Sequence, residues 1–316
     1  MKIIGIDISK QWFDCFCFSK GGRRFANTPE GWSCFAKWAG KKVWVVMEAS
    51  GPYYLGLASW LHERGTSLSV VNPLVIRRYS QMKLARTKTD AKDAELIAGY
   101  GVEQQPTSWS PPSRVCLQMR QLMSLREGLV RQQGILRGQQ EAFSQGPVAE
   151  ELTQQILAEQ AGQVERQVNR IDRRLKQLAT MHYAELMEAL QTIPGIGPKT
   201  AILLLILTDG FTRFQSARQL ASYVGICPRV WQSGSSIQGR GAICKLGAAH
   251  MRKLLYMCSW TAKLYNPACR SLYERMATKG KPERVIKVAV AHKLLRQAFA
   301  VGKKQEPFNE KLAMVA

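Results

Sequence analysis

The most informative stretch of the sequence is Lys2-Ile3-Ile4-Gly5-Ile6-Asp7, an apolar run that ends in a carboxylate. Such a run predicts a buried β-strand, and the aspartate at its end is expected at the rim of a sheet. The same arrangement recurs where Glu48 follows Val43-Trp44-Val45-Val46-Met47. A merely solvated role suits neither carboxylate, because each follows a strand that should be buried.

Two further carboxylates lie in the stretch Lys88-Thr89-Asp90-Ala91-Lys92-Asp93-Ala94. Asp90 and Asp93 are three residues apart in a segment of helical character, so they share one helix face, although Asp93 taken alone also suits a solvated surface. Four carboxylates brought together repel one another and raise each other's pKa, and a hard cation is their natural stabiliser. Oxygen-only ligands favour Mg²⁺ or Mn²⁺ over zinc.

The charge of the chain indicates the class of partner. The 316 residues carry a formal net charge of +22, which suits a protein that displaces counterions from phosphate backbones better than an enzyme of small neutral metabolites. Residues 191–316 hold 20 Lys or Arg against 5 Asp or Glu, whereas residues 1–190 hold 25 against 18. Carboxylates ahead of a cationic half predict a metal-dependent nucleic-acid enzyme.

Cysteine and histidine usage argues against a zinc site or a disulfide framework. The eight cysteines include no C-x-x-C pair, so reduced thiols in a cytoplasm are expected. The histidines His62, His182, His250 and His292 stand alone and are expected to be surface or capping residues. No apolar run approaches the length of a membrane span, and residues 1–7 lack the long apolar segment of a signal peptide, so a soluble cytoplasmic protein is expected.

Residues 1–106 are expected to form an α/β domain with a mixed sheet, because strand-like and helix-like runs alternate there. The strand-like runs are Lys2–Ile6, Trp12–Phe18, Val43–Glu48 and Ser67–Val71. The helix-like runs are Pro29–Trp38, Tyr54–Glu63 and Asp90–Tyr100. Prolines at 106, 111 and 112 mark the end of this domain.

Residues 107–188 predict a helical, coiled-coil middle segment. Apolar residues spaced by 4, 3, 4 and 3 fit a seam; they are Val164, Val168, Ile171, Leu175 and Leu178. An earlier stretch has a similar rhythm, at Leu122, Leu125, Leu129 and Leu136. Gly146-Pro147 separates the two, which predicts an antiparallel or dimerising helical pair, with ordinary amphipathic helices as the alternative.

Residues 189–316 are expected to be mainly helical and to bind nucleic acid. The stretch 193–201 (Ile-Pro-Gly-Ile-Gly-Pro-Lys-Thr-Ala) is similar to the hairpin of helix-hairpin-helix motifs, although a structural turn between packed helices is the alternative. A Ser/Gly loop at 231–241 would usually be only a connector, but cationic residues surround it. The candidates for phosphate contact are Lys199, Arg240, Lys245, Arg252 and Lys253.

Taken in order, the motifs resemble those of the DEDD insertion-sequence transposases, whose relatives include the Piv site-specific invertase and whose members are understood as bridge-RNA-guided recombinases. The resemblance runs from Ile3 to about Lys304. It rests on 4–10, 47–53, 72–73, 88–94, 193–201, 223–229 and 233–236.

The resemblance implies a RuvC-like, RNase H-type catalytic domain at 1–106, a coiled-coil middle at 107–188 and a transposase domain at 189–316. Carried over by position, Asp7, Glu48, Asp90 and Asp93 would hold magnesium, and Ser233 would attack the scissile phosphate. The implied partners are target and donor double-stranded DNA and a structured noncoding guide RNA, handled by a homo-oligomer, a dimer or tetramer. The site could then combine carboxylates of one subunit with the serine of another.

Two other classes share part of this pattern. A RuvC-like Holliday-junction resolvase or nuclease would use the same carboxylates with water as the nucleophile, and would not need Ser233. A non-catalytic nucleic-acid-binding protein would keep the basic half and lose nothing when the carboxylates are changed.

Overall fold

The structure, a computed structural model, describes residues 1–84, 89–148, 150–229, 232–233, 237–238 and 242–311. The chain forms two compact units, Met1–Pro111 and Pro112–Ala316. The division into three domains, at 106 and 188, stays a prediction. Helix α6 (Glu151–Gln191) continues past residue 188.

The first unit is built on a five-stranded mixed sheet in the order β3-β2-β1-β4-β5. Its strands are β1 (Lys2–Ile8), β2 (Trp12–Cys17), β3 (Gly21–Ala26), β4 (Val43–Glu48) and β5 (Ser67–Val71). The pairs β1–β2 and β2–β3 are antiparallel, whereas β1–β4 and β4–β5 are parallel. This confirms the predicted α/β domain with a mixed sheet.

Helices flank this sheet. They are α1 (Pro29–Ala39), α2 (Tyr54–Glu63), α3 (Pro73–Met82) and α4 (Asp90–Gln104). Each predicted strand and helix of the unit is present, with ends shifted by a few residues. Strand β3 and helix α3 were not predicted. The mostly exposed β3 lacks apolar alternation and is defined by its pairing with β2, while α3 begins where the Asn72 side chain accepts a hydrogen bond from the Leu74 amide.

The core of the first unit combines the apolar β-strands with aromatic side chains. The rings of Phe13 and Phe25 stack with centroids 5.7 Å apart, and Phe35 of α1 meets Phe13 edge-on at 5.6 Å. Both arrangements are favourable for aromatic quadrupoles. The buried Ile4 and Ile6 of β1 belong to the same cluster, so the core packs against one face of the strand that carries Asp7.

The second unit is mainly helical. Its helices are α5 (Arg114–Ser144), α6 (Glu151–Gln191), α7 (Pro198–Thr208), α8 (Ala217–Val224), α9 (Ala249–Tyr265), α10 (Pro267–Thr278) and α11 (Glu283–Lys304). Two-residue strands pair between α8 and α9: β6 (Pro228–Arg229) with β9 (Ala242–Ile243), and β7 (Gln232–Ser233) with β8 (Ile237–Gln238). Helix α7 is buried along most of its length.

Helices α5 and α6 pack against each other as an antiparallel pair within the chain. The α6 seam is buried at Val164, Val168, Ile171, Leu175 and Leu178. On α5 the prediction was wrong at Leu125, which is exposed. Arg126 turns inward instead and donates to both carboxylate oxygens of Asp172, so an ion pair occupies the facing position. A coiled coil in the strict sense stays a prediction.

The cysteines form no disulfide, and His250 and His292 are partly buried beside charged side chains. All eight cysteines lie within the described ranges and are free thiols. His250 pairs through Nδ1 with the Glu127 carboxylate, and burial together with the charge of Arg296 lowers the pKa of His292. Within the part of the chain that the structure describes, no helix is long and apolar enough to cross a membrane.

Candidate active site

Two of the predicted carboxylates lie side by side at the edge of the sheet. In the parallel ladder of β1 and β4, Ile6 is opposite Met47, so the residues that follow them, Asp7 and Glu48, are neighbours. Parallel strands present their carboxyl ends at the same edge, which is why two separate strand-end carboxylates meet there. Both side chains are half-buried, and Ser50 donates a hydrogen bond of 3.0 Å to Glu48 Oε1.

Helix α4 brings the other two carboxylates to this edge. A Cβ atom added to Gly5 would lie 2.2 Å from both the Ala94 carbonyl oxygen and the Ala98 amide nitrogen, so α4 rests directly on the bare backbone of β1. Farther along the helix, a Cβ atom on Gly101 would lie 2.8 Å from a methyl group of Ile3. The helix therefore runs antiparallel to β1, and its first turn lies toward Asp7, which shares a strand face with Gly5.

The first turn of α4 is itself suited to carboxylates. Thr89 caps the helix by accepting a hydrogen bond from the Lys92 amide at 3.3 Å, and Asp90 and Asp93 occupy the first turn. The positive end of the helix dipole stabilises negative charge at this position. The Thr89 cap thus sets the residue at which α4 begins. The close contact at Gly5 sets the position of this helix end relative to β1.

The raised pKa of Asp7 reflects the proximity of the other three carboxylates. The pKa of Asp7 is raised from 3.8 to about 6. Burial is the largest cause, followed by the negative charges of Asp93, Glu48 and Asp90, with a smaller effect from Asp14. The four predicted carboxylates, drawn from β1, β4 and α4, therefore act on one another as charges.

Two residues at this edge were missed from the sequence. Asp14 lies opposite Asp7 in the β1–β2 ladder and is only 9% exposed. Arg24 of β3 donates to both oxygens of Asp14, at 3.2 Å to Oδ1 and 2.8 Å to Oδ2, and to Asp90 Oδ2 at 3.1 Å. An aspartate inside the apolar strand of Phe13 and Cys15 was the available signal, since a buried carboxylate needs a cationic partner.

The donor chemistry of this edge fits a hard divalent cation, although its side chains are not closed around one. Among the described residues, no group of three or more His, Cys, Asp or Glu side chains is gathered tightly enough to hold a metal ion. Asp90 points an oxygen at Arg24, and Glu48 accepts from Ser50. The donors are all oxygen atoms, and burial together with mutual repulsion raises the pKa of Asp7. A bound Mg²⁺ or Mn²⁺ would satisfy these donors and offset the repulsion.

The predicted nucleophile belongs to the second unit. The backbone of Ser233 pairs with Ile237, but its side chain and the whole of Arg240 lie outside the described residues. The residues before and after this segment pair with each other: β6 pairs with β9, and next to that pair the Cys244 amide donates to the Cys227 carbonyl at 3.0 Å. Lys245 follows in a left-handed conformation, with φ of 60°, and is exposed.

The remaining predicted cations of the second unit do not form one cluster of contacts. Lys199 is exposed at the start of α7, with Nζ 3.6 Å from Asp172 Oδ2, and Lys253 is exposed on α9. Arg252 donates to the Val224 carbonyl at 2.7 Å, which ties it to the end of α8. A Cβ atom on the hairpin glycine Gly195 would lie 2.9 Å from that of Ala262, so this glycine serves close helix packing.

Comparison with known proteins identifies relatives over the whole chain. A family model for the DEDD transposase of IS110 elements matches residues 4–140, and one described as "Transposase IS116/IS110/IS902 family" matches residues 187–274. The chain is 33% identical to the pilin gene-inverting protein of Moraxella bovis over 321 residues, which cover 98% of each chain. It is 25% identical to the transposase for insertion sequence element IS1328 of Yersinia enterocolitica, over 98% of this chain and 99% of that one.

Proposed function

This chain belongs to the IS110 family of DEDD transposases and is a DNA transposase or recombinase, and from that premise we propose that it cleaves and rejoins DNA through a covalent phosphoserine intermediate under the guidance of a structured RNA. The DEDD domain implies an RNase H-like fold, in agreement with the mixed sheet of the first unit, and it indicates dependence on a divalent metal ion. The identity of the metal, the nucleophile and the guide are proposals.

The observation that carries the proposal is the electrostatic coupling at Asp7. Burial, together with the negative charges of Asp93 and Asp90 on α4 and Glu48 on β4, raises its pKa to about 6, and Gly5 lets the helix lie close against the strand. A fold does not gather repelling charges for stability, so a functional cation site is the better explanation. Asp7, Glu48, Asp90 and Asp93 would hold Mg²⁺, or Mn²⁺.

When bound, the cation would polarise the scissile phosphate, neutralise developing charge and favour ionisation of a nearby hydroxyl. The carboxylates would orient it, and Arg24 would hold Asp14 and Asp90 in place, since its guanidinium bonds to both. Ser50 would fix the orientation of Glu48 through the hydrogen bond it donates.

Ser233 is the proposed nucleophile. Its Oγ would form a bond to phosphorus as the bond from phosphorus to the leaving strand breaks, and the proton of the serine would end on the leaving oxygen as a hydroxyl. One phosphoester replaces another, so the energy of the bond is conserved and the hydroxyl of a second strand can release the serine by the reverse reaction. Strand exchange would then need no external energy source.

The cationic second unit would hold the nucleic acids. Residues 191–316 carry a net charge of +15, and no base-reading module is recognisable in the sequence, which favours recognition of backbone and shape. Base pairing by a guide RNA would then supply sequence specificity. Among the relatives, one is described as inverting a pilin gene and another as a transposase, so a DNA rearrangement of one of these kinds is the proposed outcome.

A covalent adduct tests the nucleophile. Wild-type protein with its RNA, labelled DNA and Mg²⁺ should yield a protein–DNA adduct that survives denaturation, and peptide mass spectrometry should place it on Ser233. Ser233→Ala should abolish the adduct, while Ser236→Ala, a serine of the same loop, serves as the matched control. Cleavage by Ser233→Ala without an adduct would instead indicate water as the nucleophile, as in a RuvC-like resolvase.

Removal of RNA tests the guide. RNA that copurifies with the protein is sequenced, and the protein is then stripped with ribonuclease and high salt and given back either that RNA or a scrambled RNA of equal length. Recombination should return only with the native RNA. Full recombination by stripped protein on bare DNA would contradict the proposed guide.

The carboxylates are tested separately. Full recombination activity of Asp7→Ala would contradict their proposed role in the mechanism.

A further inference from the structure

Trp260 of α9 presents an indole ring at the surface of the second unit, with a lysine beneath it. The residue is 48% exposed, and the Nζ atom of Lys287 lies 3.2 Å from the centre of its ring. A second ammonium group, that of Lys263, lies 5.6 Å from the ring centre, and the shorter contact is the one with Lys287. The contact is a close cation–π interaction.

Lys287 holds this ring in position from a buried site. The residue is only 3% exposed, and its ammonium forms an ion pair of 2.9 Å with Glu283, one helical turn earlier on α11. Lys263 shares the same carboxylate at 3.5 Å. A buried lysine is costly unless it is paired, and here a carboxylate and the face of an indole are its partners. The indole therefore packs against α11 through this ammonium group.

The exposed face of α9 around Trp260 is apolar and flanked by charge. The positions Lys253, Met257, Trp260 and Leu264 are spaced by 4, 3 and 4 residues and so lie on one helix face. Met257 is 57% exposed and Leu264 is 52% exposed. This helix face is thus apolar at its centre, with the ammonium group of Lys253 at one end.

The net charge of α9, α10 and α11 indicates which kind of ligand could bind to this face. Residues 249–304, which span α9 to α11, contain 13 Lys or Arg against 2 Asp or Glu, a net charge of +11. A second copy of the same face would bring like charges together, which disfavours self-association. An occupant that offers flat apolar groups on a polyanionic backbone matches both the ring and the charge, and unpaired nucleotides are such a ligand.

We propose that Trp260 is a stacking platform for an unpaired base of RNA or single-stranded DNA, with Lys287 fixing the ring beneath it. The proposal rests on the nucleic-acid binding of the proposed function, but not on the carboxylates or on Ser233. It assigns the α9 face to single-stranded segments, such as loops or bulges, whose bases are free to stack. A ring that already packs against α11 loses little conformational freedom when a base stacks on it.

Binding to matched ligands tests the platform. Fluorescence anisotropy compares a labelled oligonucleotide in single-stranded form with the same sequence in a full duplex. Trp260→Ala should weaken single-strand binding about tenfold, within the range found when one stacking aromatic is removed, and leave duplex binding unchanged. Trp260→Phe should retain most of the affinity. Arg284→Gln, which removes an exposed charge of α11, should weaken both ligands alike and reduce the salt dependence.

Photocrosslinking supplies a readout that does not depend on a variant. An oligonucleotide with 5-iodouracil at unpaired positions should crosslink to Trp260, identified by peptide mass spectrometry. Unchanged single-strand affinity of a folded Trp260→Ala, an equal loss on the duplex, or crosslinks confined to other residues would each overturn the platform. So would sedimentation in which this substitution converts an oligomer to monomers without affecting binding. If the wild type bound neither ligand, the proposed function itself would fail.

Discussion

Asp7 is placed where the proposed metal site needs a carboxylate, but its ionised form destabilises the folded protein. Its pKa is about 6 in the folded protein against an ordinary value of 3.8, because burial and the charges of Asp93, Glu48 and Asp90 disfavour its ionised form. Between these two values the folded state binds more protons than the unfolded chain. The stability that the folded state gains from protonation of Asp7 is therefore fully present below about pH 3.8 and is lost as the pH rises through about 6.

Asp7→Asn should consequently stabilise the metal-free protein at neutral pH while abolishing strand cleavage. The neutral amide keeps the shape of the side chain but removes one of the repelling charges. Thermal unfolding in EDTA at pH 5 and pH 7.5 measures the effect: the melting temperature of the wild type should lose a contribution between the two values that the variant does not lose.

Glu63→Gln is the control for this comparison, because it removes an exposed carboxylate of the same unit at the end of α2. Added Mg²⁺ should raise the melting temperature of the wild type at pH 7.5 more than that of Asp7→Asn. A variant that is less stable than the wild type in EDTA at pH 7.5 would mean that the repulsion at this edge is already neutralised, for example by Arg24.

At the scale of elements, the site depends on how closely α4 lies against β1. The contact positions of the helix are small, at Ala94, Ala98 and Gly101, and the strand offers Gly5. Gly5 does not have a positive φ, so its role is space and not backbone freedom. The same contact that packs the helix therefore delivers the carboxylates of its first turn.

Gly5→Ala should displace α4 and destabilise the first unit. The added methyl group would meet backbone atoms at 2.2 Å, which cannot move as a flexible side chain would. Overpacking of this kind costs roughly 1–3 kcal/mol or more, so an effect at the upper end is expected, together with loss of cleavage. Urea unfolding and the adduct assay measure the two effects.

Gly22→Ala is the matched control, since Gly22 lies on β3 of the same sheet and its added Cβ would find its nearest neighbour at 3.7 Å, an ordinary contact. It should leave the free energy of unfolding within about 1 kcal/mol of the wild type. If Gly5→Ala behaved as this control does, the close approach of α4 would not be what positions Asp90 and Asp93.

At the scale of the whole molecule, the proposed chemistry draws on both compact units. The carboxylates belong to residues 1–111 and Ser233 to residues 112–316. Exchange of two DNA strands needs two cleavage sites, so an oligomer is the proposed active form. An isolated chain would then bind nucleic acid without completing the exchange.

Mixing two inactive variants tests this assembly. Asp7→Asn lacks a carboxylate and Ser233→Ala lacks the proposed nucleophile, so each alone should give no exchange. If sites combine the carboxylates of one subunit with the serine of another, the mixture should regain about a quarter to a half of the wild-type adduct, because some sites receive both intact residues. A mixture that stays inactive while co-purification of two differently tagged variants shows mixed oligomers would mean that each site is built within one chain.

Much of the first unit could be predicted from the sequence alone. Strand-like runs that end in Asp7 and Glu48, and the capped turn with Asp90 and Asp93, are local patterns, because apolar periodicity and helix capping act between residues close in the chain. The predicted mixed sheet is confirmed, and the family resemblance, which rests on motifs in order along the chain, was correct. The roles of the four carboxylates and Ser233 stay proposals.

Only the tertiary structure decided what depends on partners distant in sequence. Asp14 and Arg24 become part of the carboxylate edge through pairing of β1, β2 and β3, and neither carries a local signal of that role. The inward turn of Arg126 in place of Leu125 depends on where Asp172 lies on the facing helix. In the same way Lys287 lies beneath Trp260 because α9 and α11 pack together. Periodicity fixes which faces are apolar, whereas the pairing of charges and rings is set by the three-dimensional contacts that packing creates.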